Sequence, residues 1–491
     1  MTSPRLAILS LLMISLPTGP DSRAQHRPNQ AITYRNFDFV RVVTSSMTYV
    51  YFATNGGIIR YDKMQQKWDL PLTGAEGMPR ETINQIWVDR FDQTLVIGTD
   101  FSLYEYDDFF DRWYPISELP SLDTDCRHLR APDVLLPEFD ANYMGEGKFA
   151  DFFGRTFVTT DIVDDRTGTL WIGTWGFGPA MADASSYLMS LMPYGLLQER
   201  VDVILPDDSV LWIGGVVIDD FRTGLTAFNP ESNRFFRVES GLFTGLPVED
   251  IYSLESDSAR LYVGTPSGLY LLEKKDWSVQ GPVDFRHGLP EDFVLSLELV
   301  DDKLFVGTTG GLSLMDLVMD SIFHVRPETF LGHLIYDIKQ VDQTIWIGSS
   351  AGAFRYSYES DRLQHFEDTD MVLARSVLNV EYHAGGIWFA SDVGVVRLDL
   401  TDGATQSFHE PTGLRDHRAM AVNDRVVAVA SDHGMTFVFW SKDKVRSRRF
   451  TTDDGLASDN VLALRFDGDY LWVGTDHGLT RFLWNNPFWI D

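Results

Sequence analysis

One pentapeptide dominates this chain: Leu170-Trp171-Ile172-Gly173-Thr174 returns almost unchanged as Leu471-Trp472-Val473-Gly474-Thr475. Looser copies begin at Val50, Leu95, Leu211, Leu261, Leu304, Ile345, Ile387 and Val427, making ten in 491 residues. The fourth position of every copy is Gly or Ala, and eight of the nine steps between copies span 40 to 50 residues. A unit of that length cannot bury its own apolar face, so its copies must stack on one another. A period of this size with strand-like copies is that of a four-stranded propeller blade.

Within a copy the pattern reads as strands. Val294-Leu295-Ser296-Leu297-Glu298-Leu299 alternates apolar and polar residues, as a strand with two unlike faces does. An Asp301-Asp302 turn leads to the Leu304–Thr308 strand, Gly310-Gly311 turns it into Leu312–Met315, and a fourth strand ends on Phe323. The small fourth position suits close backbone approach between neighbouring blades. No long amphipathic helical pattern interrupts the series. The expected fold is therefore all-β, a single large propeller of about ten four-stranded blades, with two smaller propellers as the alternative. The first blade is expected to begin near Phe37, and Pro487 to Ile490 to serve as the last blade's outer strand. The single 75-residue step hides an insertion at about 115–155, and a smaller one lies at Val216 to Thr223.

Composition narrows the function. The chain is 44% hydrophobic and 13% aromatic, which supplies a core and argues against global disorder. Its 41 Lys and Arg face 71 Asp and Glu, a formal charge of −30 that repels phosphate backbones and anionic lipid heads. Nucleic acid is not an expected partner. Arg5, the apolar run Leu6 to Leu16, the break at Pro17 and the small residues Ser22 and Ala24 read as a signal peptide over residues 1–24. The mature propeller, 25–491, is expected to be periplasmic or secreted, with no transmembrane segment. The one cysteine, Cys126, cannot form an internal disulfide and reads as a loop residue rather than a nucleophile.

The full repeat runs Gly-Leu-Pro, an alternating strand, Asp, Leu-Trp-Ile-Gly-Thr, a Gly-Leu turn, Tyr/Phe-Asp and a terminal aromatic; Phe285 to Asp316 and Asp453 to Phe482 show it well. It resembles the two-component regulator propeller repeat of periplasmic bacterial sensors over nearly the whole mature chain. The resemblance implies a ligand-recognition module, frequently for glycan-derived oligosaccharides, that is followed in such sensors by a membrane span and a kinase. Here the sequence stops at Asp491, so any signalling is expected to pass through a separate protein. Similar repeats occur in stand-alone envelope proteins, including a propeller component of the type IX secretion machinery.

No P-loop, Gly-x-Ser-x-Gly elbow or His-Glu-x-x-His helix is present, so catalysis is not expected, and neither is a cofactor or metal. Links between blades and turns between second and third strands emerge on one propeller face. That face is expected to carry Arg80, Glu81, Trp175, Arg200, Asp250, Asp292, Arg375, His417, Arg418, His433, Asp459, Asn460 and His477, with Asp219 and Asp220 nearby. Aromatic platforms beside carboxylates and Arg suit a glycan, a peptide or an envelope protein in a central funnel. A structural role in an envelope or secretion complex is the alternative. A lyase or hydrolase built on His433 or His477 is a third reading.

Overall fold

The computed structural model describes residues 31–486 apart from 75, 76, 80, 125, 218–221, 242–244, 247–249, 367–372, 392, 393, 409–418, 442 and 443. The signal-peptide segment and Pro487 to Ile490 lie outside the described residues. The described chain is all-β and forms ten sheets, antiparallel but for one short pairing, one sheet for each copy of the pentapeptide. We number them as blades in chain order: 40–68, 85–116, 156–191, 203–239, 253–283, 294–324, 335–366, 377–408, 420–450 and 461–483. In each, the pentapeptide strand is second and pairs with both its neighbours, as Lys303–Thr308 does between Val294–Val300 and Gly311–Asp316.

Contacts between sheets show how the ten blades are distributed. First strands of blades 4 to 10 pack in succession, and Val203–Asp207 of blade 4 meets Val461–Asp467 of blade 10. Seven blades thus close a ring. Blades 3, 1 and 2 form a short stack beside it: Val40–Ser45 of blade 1 lies against the first two strands of blade 3 and against Gln85–Val88 of blade 2.

The small fourth position is what lets blades touch. A Cβ added at Gly307 would lie 2.7 Å from Ile335 of blade 7, and one at Gly264 would lie 2.7 Å from Val294 of blade 6. Gly173 of blade 3 approaches Val40 of blade 1 in the same way, at 2.6 Å. Gly474 meets Val201 at 2.7 Å, and the Val201 amide donates to the Thr475 carbonyl at 2.9 Å, fastening blade 10 to blade 4.

Blade 10 takes its outer strand from the other end of the chain. Ala31–Tyr34 pairs antiparallel with Gly478–Leu483, in register from Ala31 opposite Phe482 to Tyr34 opposite Leu479. The position expected for Pro487 to Ile490 is therefore filled by a segment upstream of Phe37. This strand, drawn from residues ahead of blade 1, becomes the outer edge of blade 10 and fastens the two ends of the described chain together.

The long insertion belongs to blade 3. Lys148–Asp151 and Ala141–Gly145 extend that sheet beyond its first strand, Thr156–Asp164, while Leu136–Pro137 pairs parallel with its last strand, Leu188–Leu191. The sheet curls on itself around Phe149, Phe157, Ile172, Phe177 and Met189, which are all buried. This covers the face that would otherwise meet a preceding blade. At the other end of the stack, blade 2 keeps Trp87 and Leu103 half-buried and Tyr114 exposed on its far face, with Phe101, Phe109 and Phe110 exposed at its turns.

Ring and stack share one core. Tyr194, buried, stacks on Trp68 of blade 1 at 5.1 Å and on Phe37 at 5.8 Å, and meets Phe235 of blade 4 edge-on at 5.1 Å. Tyr34 lies 4.8 Å from Phe228 and 6.5 Å from Trp472. Enlarging a blade contact tests this architecture: Gly474→Val, which overpacks the closing interface, is expected to lose about 1–3 kcal/mol in denaturant unfolding.

Candidate functional site

Two recesses are formed by this arrangement, one on the ring axis and one between ring and stack. The axial channel encloses about 480 Å³ and is lined by first-strand residues of all seven ring blades. One level of it is set by register. The residue opposite the second position of the pentapeptide strand is Leu205, Glu255, Glu298, Lys339, Glu381, Ala421 and Arg465 in blades 4 to 10. Charges of both signs therefore meet in one belt. Lys339 lies 3.7 Å from Glu298, and Arg465 reaches 3.2 Å across the small Ala421 position to Glu381.

Burial makes this belt costly for carboxylates. Glu298 is 8% exposed, and desolvation pushes its carboxyl up to about 7 against the opposing pull of Lys339 and the Gln340 amide. Asp337, one level away, is likewise raised to about 7 by burial, although the Val380 amide and Asn379 both donate to it at 2.7 Å. Glu255 is raised by burial as well.

The second recess, about 680 Å³, opens between blades 1, 2 and 10. Arg35, Arg41, Asn55, Glu81, Asp459 and His477 bring polar groups to it, and Met78, Pro79, Ile83 and Leu456 supply apolar walls. Arg35 pairs with Glu199 at 3.2 Å, and burial raises the Glu199 carboxyl. His477 lies 3.0 Å from Asp476, whose hydrogen bond raises the imidazole. Burial opposes ionisation of Asp476, but hydrogen bonds from His477, Ser458 and Asn460 outweigh it and hold the carboxyl low. Glu81 accepts from the Thr99 hydroxyl. Arg41 lies over the Trp175 ring at 5.1 Å and donates to Asn55 at 3.0 Å, so Trp175 backs a cleft residue.

The expected face thus divides. Glu81, Asp459 and His477 line the cleft, with Asn460 just behind, donating to Asp476 at 3.0 Å. Arg200 lines the channel and forks onto Asp202 at 2.7–3.0 Å. Asp250 accepts the backbone amide of Val217, 33 residues away, at 2.8 Å, and Asp292 accepts that of Phe285 at 2.9 Å. Arg375 is exposed, and His433 is exposed beside Asp432 at 2.5 Å. Arg80, Asp219, Asp220, His417 and Arg418 lie outside the described residues.

The channel belt was missed in the sequence because Glu298 and its equivalents occupy the polar phase of alternating strands, which in an open sheet faces water. Among the described residues, no group of three or more His, Cys, Asp and Glu is placed to hold a metal ion, and no helix is long and apolar enough to cross a membrane.

No family model and no curated protein matches the chain. Among solved structures, it is similar to the extracellular domain of BT4673 from B. thetaiotaomicron, assigned to a one-component system. The identity is 14%, with 90% of this chain and 70% of that chain covered and a TM-score of 0.46. It is similar also to PorZ, a surface component of the type-IX secretion system of Porphyromonas gingivalis, at 13% identity, 90% and 68% coverage and a TM-score of 0.49. A third is the extracellular domain of BT3049 from B. thetaiotaomicron, assigned to a hybrid two-component system, at 15% identity, 89% and 60% coverage and a TM-score of 0.47.

Raised carboxyls in the channel tie stability to pH. Free carboxyls ionise near pH ~4, so the folded chain binds extra protons at Glu298 and Asp337 between there and about 7. Their contribution is fully present at low pH and is lost as pH rises through about 7. Glu298→Gln is expected to flatten the fall in thermal midpoint between mildly acidic and mildly alkaline buffer. An unchanged slope would show that burial does not hold this carboxyl neutral.

Proposed function

We propose that the chain is an extracytoplasmic recognition propeller, not an enzyme, which binds a glycan, a peptide or a partner protein in the cleft between ring and stack. The carrying observation is the convergence of Glu81, Asp459, His477, Arg35 and Arg41 on one open recess of about 680 Å³. These residues come from both the ring and the stack, as expected of a site that reads shape across a junction. Cations and carboxylates line it together, beside apolar walls, so it offers donors and acceptors to a hydroxyl-rich or amide-rich ligand. Export follows from the signal-peptide reading, and signalling, in this proposal, passes through a separate partner.

The test is a glycan and peptide library screen against the whole mature chain. A ligand found there is expected to bind about tenfold or more weakly to Glu81→Ala and His477→Ala, the loss of one charged hydrogen bond. Trp175→Ala is expected to weaken binding less, through Arg41. Affinity indifferent to all three would refute the cleft as the site.

The exposed far face of blade 2 favours a second reading, a structural part of an envelope complex. There Tyr114 is 44% exposed on the fourth strand, and Phe101 at 84% and Phe109 at 86% are exposed at turns of the same blade. Tyr114→Glu is then expected to abolish co-purification of an envelope protein while leaving ligand affinity intact.

A further inference from the structure

The chain as a whole is strongly acidic, yet one edge of the ring has the opposite sign. Lys444–Phe450, the outer strand of blade 9, holds four cations and no carboxylate in its seven residues. It is also the longest outer strand of the ring, where the others span four to six residues. The outer strands of the adjoining blades, Ala31–Tyr34 of blade 10 and Thr405–Phe408 of blade 8, contain no carboxylate to balance it.

Lys444–Phe450 pairs antiparallel with Gly434–Ser441 on one side, and no described strand pairs with its other side. Phe450 anchors it, buried at 4.7 Å from Phe437 and 5.1 Å from Phe482 of blade 10. Arg446 and Arg448 stand opposite Phe439 and Phe437, on the Phe450 side of the sheet, while Arg449 stands opposite Thr436 on the other side. Arg448 is half-buried and lies over the Phe450 ring at 4.8 Å. Arg446 and Arg449 are exposed, and among the described residues neither reaches a carboxylate.

We propose that this edge docks an acidic, extended segment of a partner protein by strand addition. The partner strand continues the sheet of blade 9, pairing its backbone with the open edge while its carboxylates meet the guanidinium groups. Side chains on one face of a strand recur every second residue, about 7 Å apart. Two acids spaced that way match Arg446 and Arg448, and a third acid next to one of them meets Arg449 on the opposite face.

Charge selects this occupant over others. Cations on an edge strand ordinarily deter pairing, and like charges two residues apart also repel one another. A strand of opposite sign relieves that repulsion as it pairs, so the edge that rejects neutral and basic strands accepts an acidic one. With a formal charge of −30, the remaining surface repels acidic chains. Screening confines the attraction to about 8 Å around the cations at physiological salt. An acidic segment is therefore drawn to this edge and turned away elsewhere. Arg446, Arg448 and Arg449 line neither the channel nor the cleft, so the proposal does not rest on the ligand reading of the cleft.

The probe is an acetylated, rhodamine-labelled peptide, Thr-Glu-Glu-Thr-Glu-Thr, whose glutamates fall opposite Arg449, Arg448 and Arg446 when it runs antiparallel. Its binding to the mature chain is followed by fluorescence anisotropy. The peptide is expected to bind at low ionic strength and to weaken about tenfold or more in ~0.5 M salt. Its counterpart with glutamine in place of glutamate is expected not to bind. Arg446→Glu combined with Arg449→Glu is expected to keep the circular dichroism of the wild type and to bind the peptide about tenfold or more weakly. N-methylation of every peptide amide keeps the charges but removes the pairing donors, and is expected to weaken binding as much. A peptide that the wild type does not bind would overturn the proposal. So would a double variant or an N-methylated peptide that binds as well as the original, an affinity that falls with Glu81→Ala and not with the arginine changes, or phosphatidylglycerol vesicles that bind the wild type where the peptide does not. Should the double variant unfold, the glutamine and N-methylated peptides still decide the matter on the wild type.

Discussion

The carboxylate of Asp38 is the point on which both parts of the molecule are fixed. It is 1% exposed and sits 2.7 Å from Arg237 and 3.3 Å from Arg222. The chain crosses between ring and stack twice, through residues 35–39 and again through 192–202. Arg237 holds both crossings, for it also donates to the carbonyls of Tyr194, Gly195 and Leu196 at 2.6 to 3.2 Å. The Asp38 carbonyl accepts the Gly176 and Gly178 amides of blade 3, so the same residue anchors the stack. Burying such a pair gives little net stability, but leaving either partner alone is costly. Its effect is to specify one relative placement of ring and stack.

That placement creates the cleft. Arg35 follows directly on the strand that closes blade 10, and Glu81 sits on the link between blades 1 and 2. Only a stack held beside blade 10 brings them to Asp459 and His477. The axial channel, by contrast, needs the ring alone, and its charged belt lies on the first strands of the ring blades. The two recesses therefore differ in kind: the belt pairs Glu298 with Lys339 and Glu381 with Arg465 inside the ring, whereas the cleft draws its polar groups from ring and stack together.

Much of the fold could be read from the pentapeptide. The small fourth position announced close approach between blades, and Gly307 against Ile335 and Gly474 against Val201 carry it out. The grouping of the candidate site was less legible. Glu81, Asp459 and His477 were picked out by their place in the repeat, but the same rule also gathered Asp250 and Asp292, which accept backbone amides away from the cleft. A repeat marks equivalent positions in every blade, and equivalence says nothing of which blades are neighbours. The charged belt escaped for a related reason, since it joins residues that are unremarkable in their own strands.

From the sequence alone came the unit: four strands, a small residue where blades touch, and ten copies, because periodicity and local sterics are properties of short segments. The tertiary structure decided that seven copies close a ring and that three stack beside it. That choice rests on contacts between distant segments: Ala31–Tyr34 on Gly478–Leu483, Val201 on Gly474, and Asp38 on Arg237. It rests also on the insertion, which satisfies the face of blade 3 that a further blade would have covered. Which surfaces meet is settled by long-range packing and buried charge, and no local pattern encodes it.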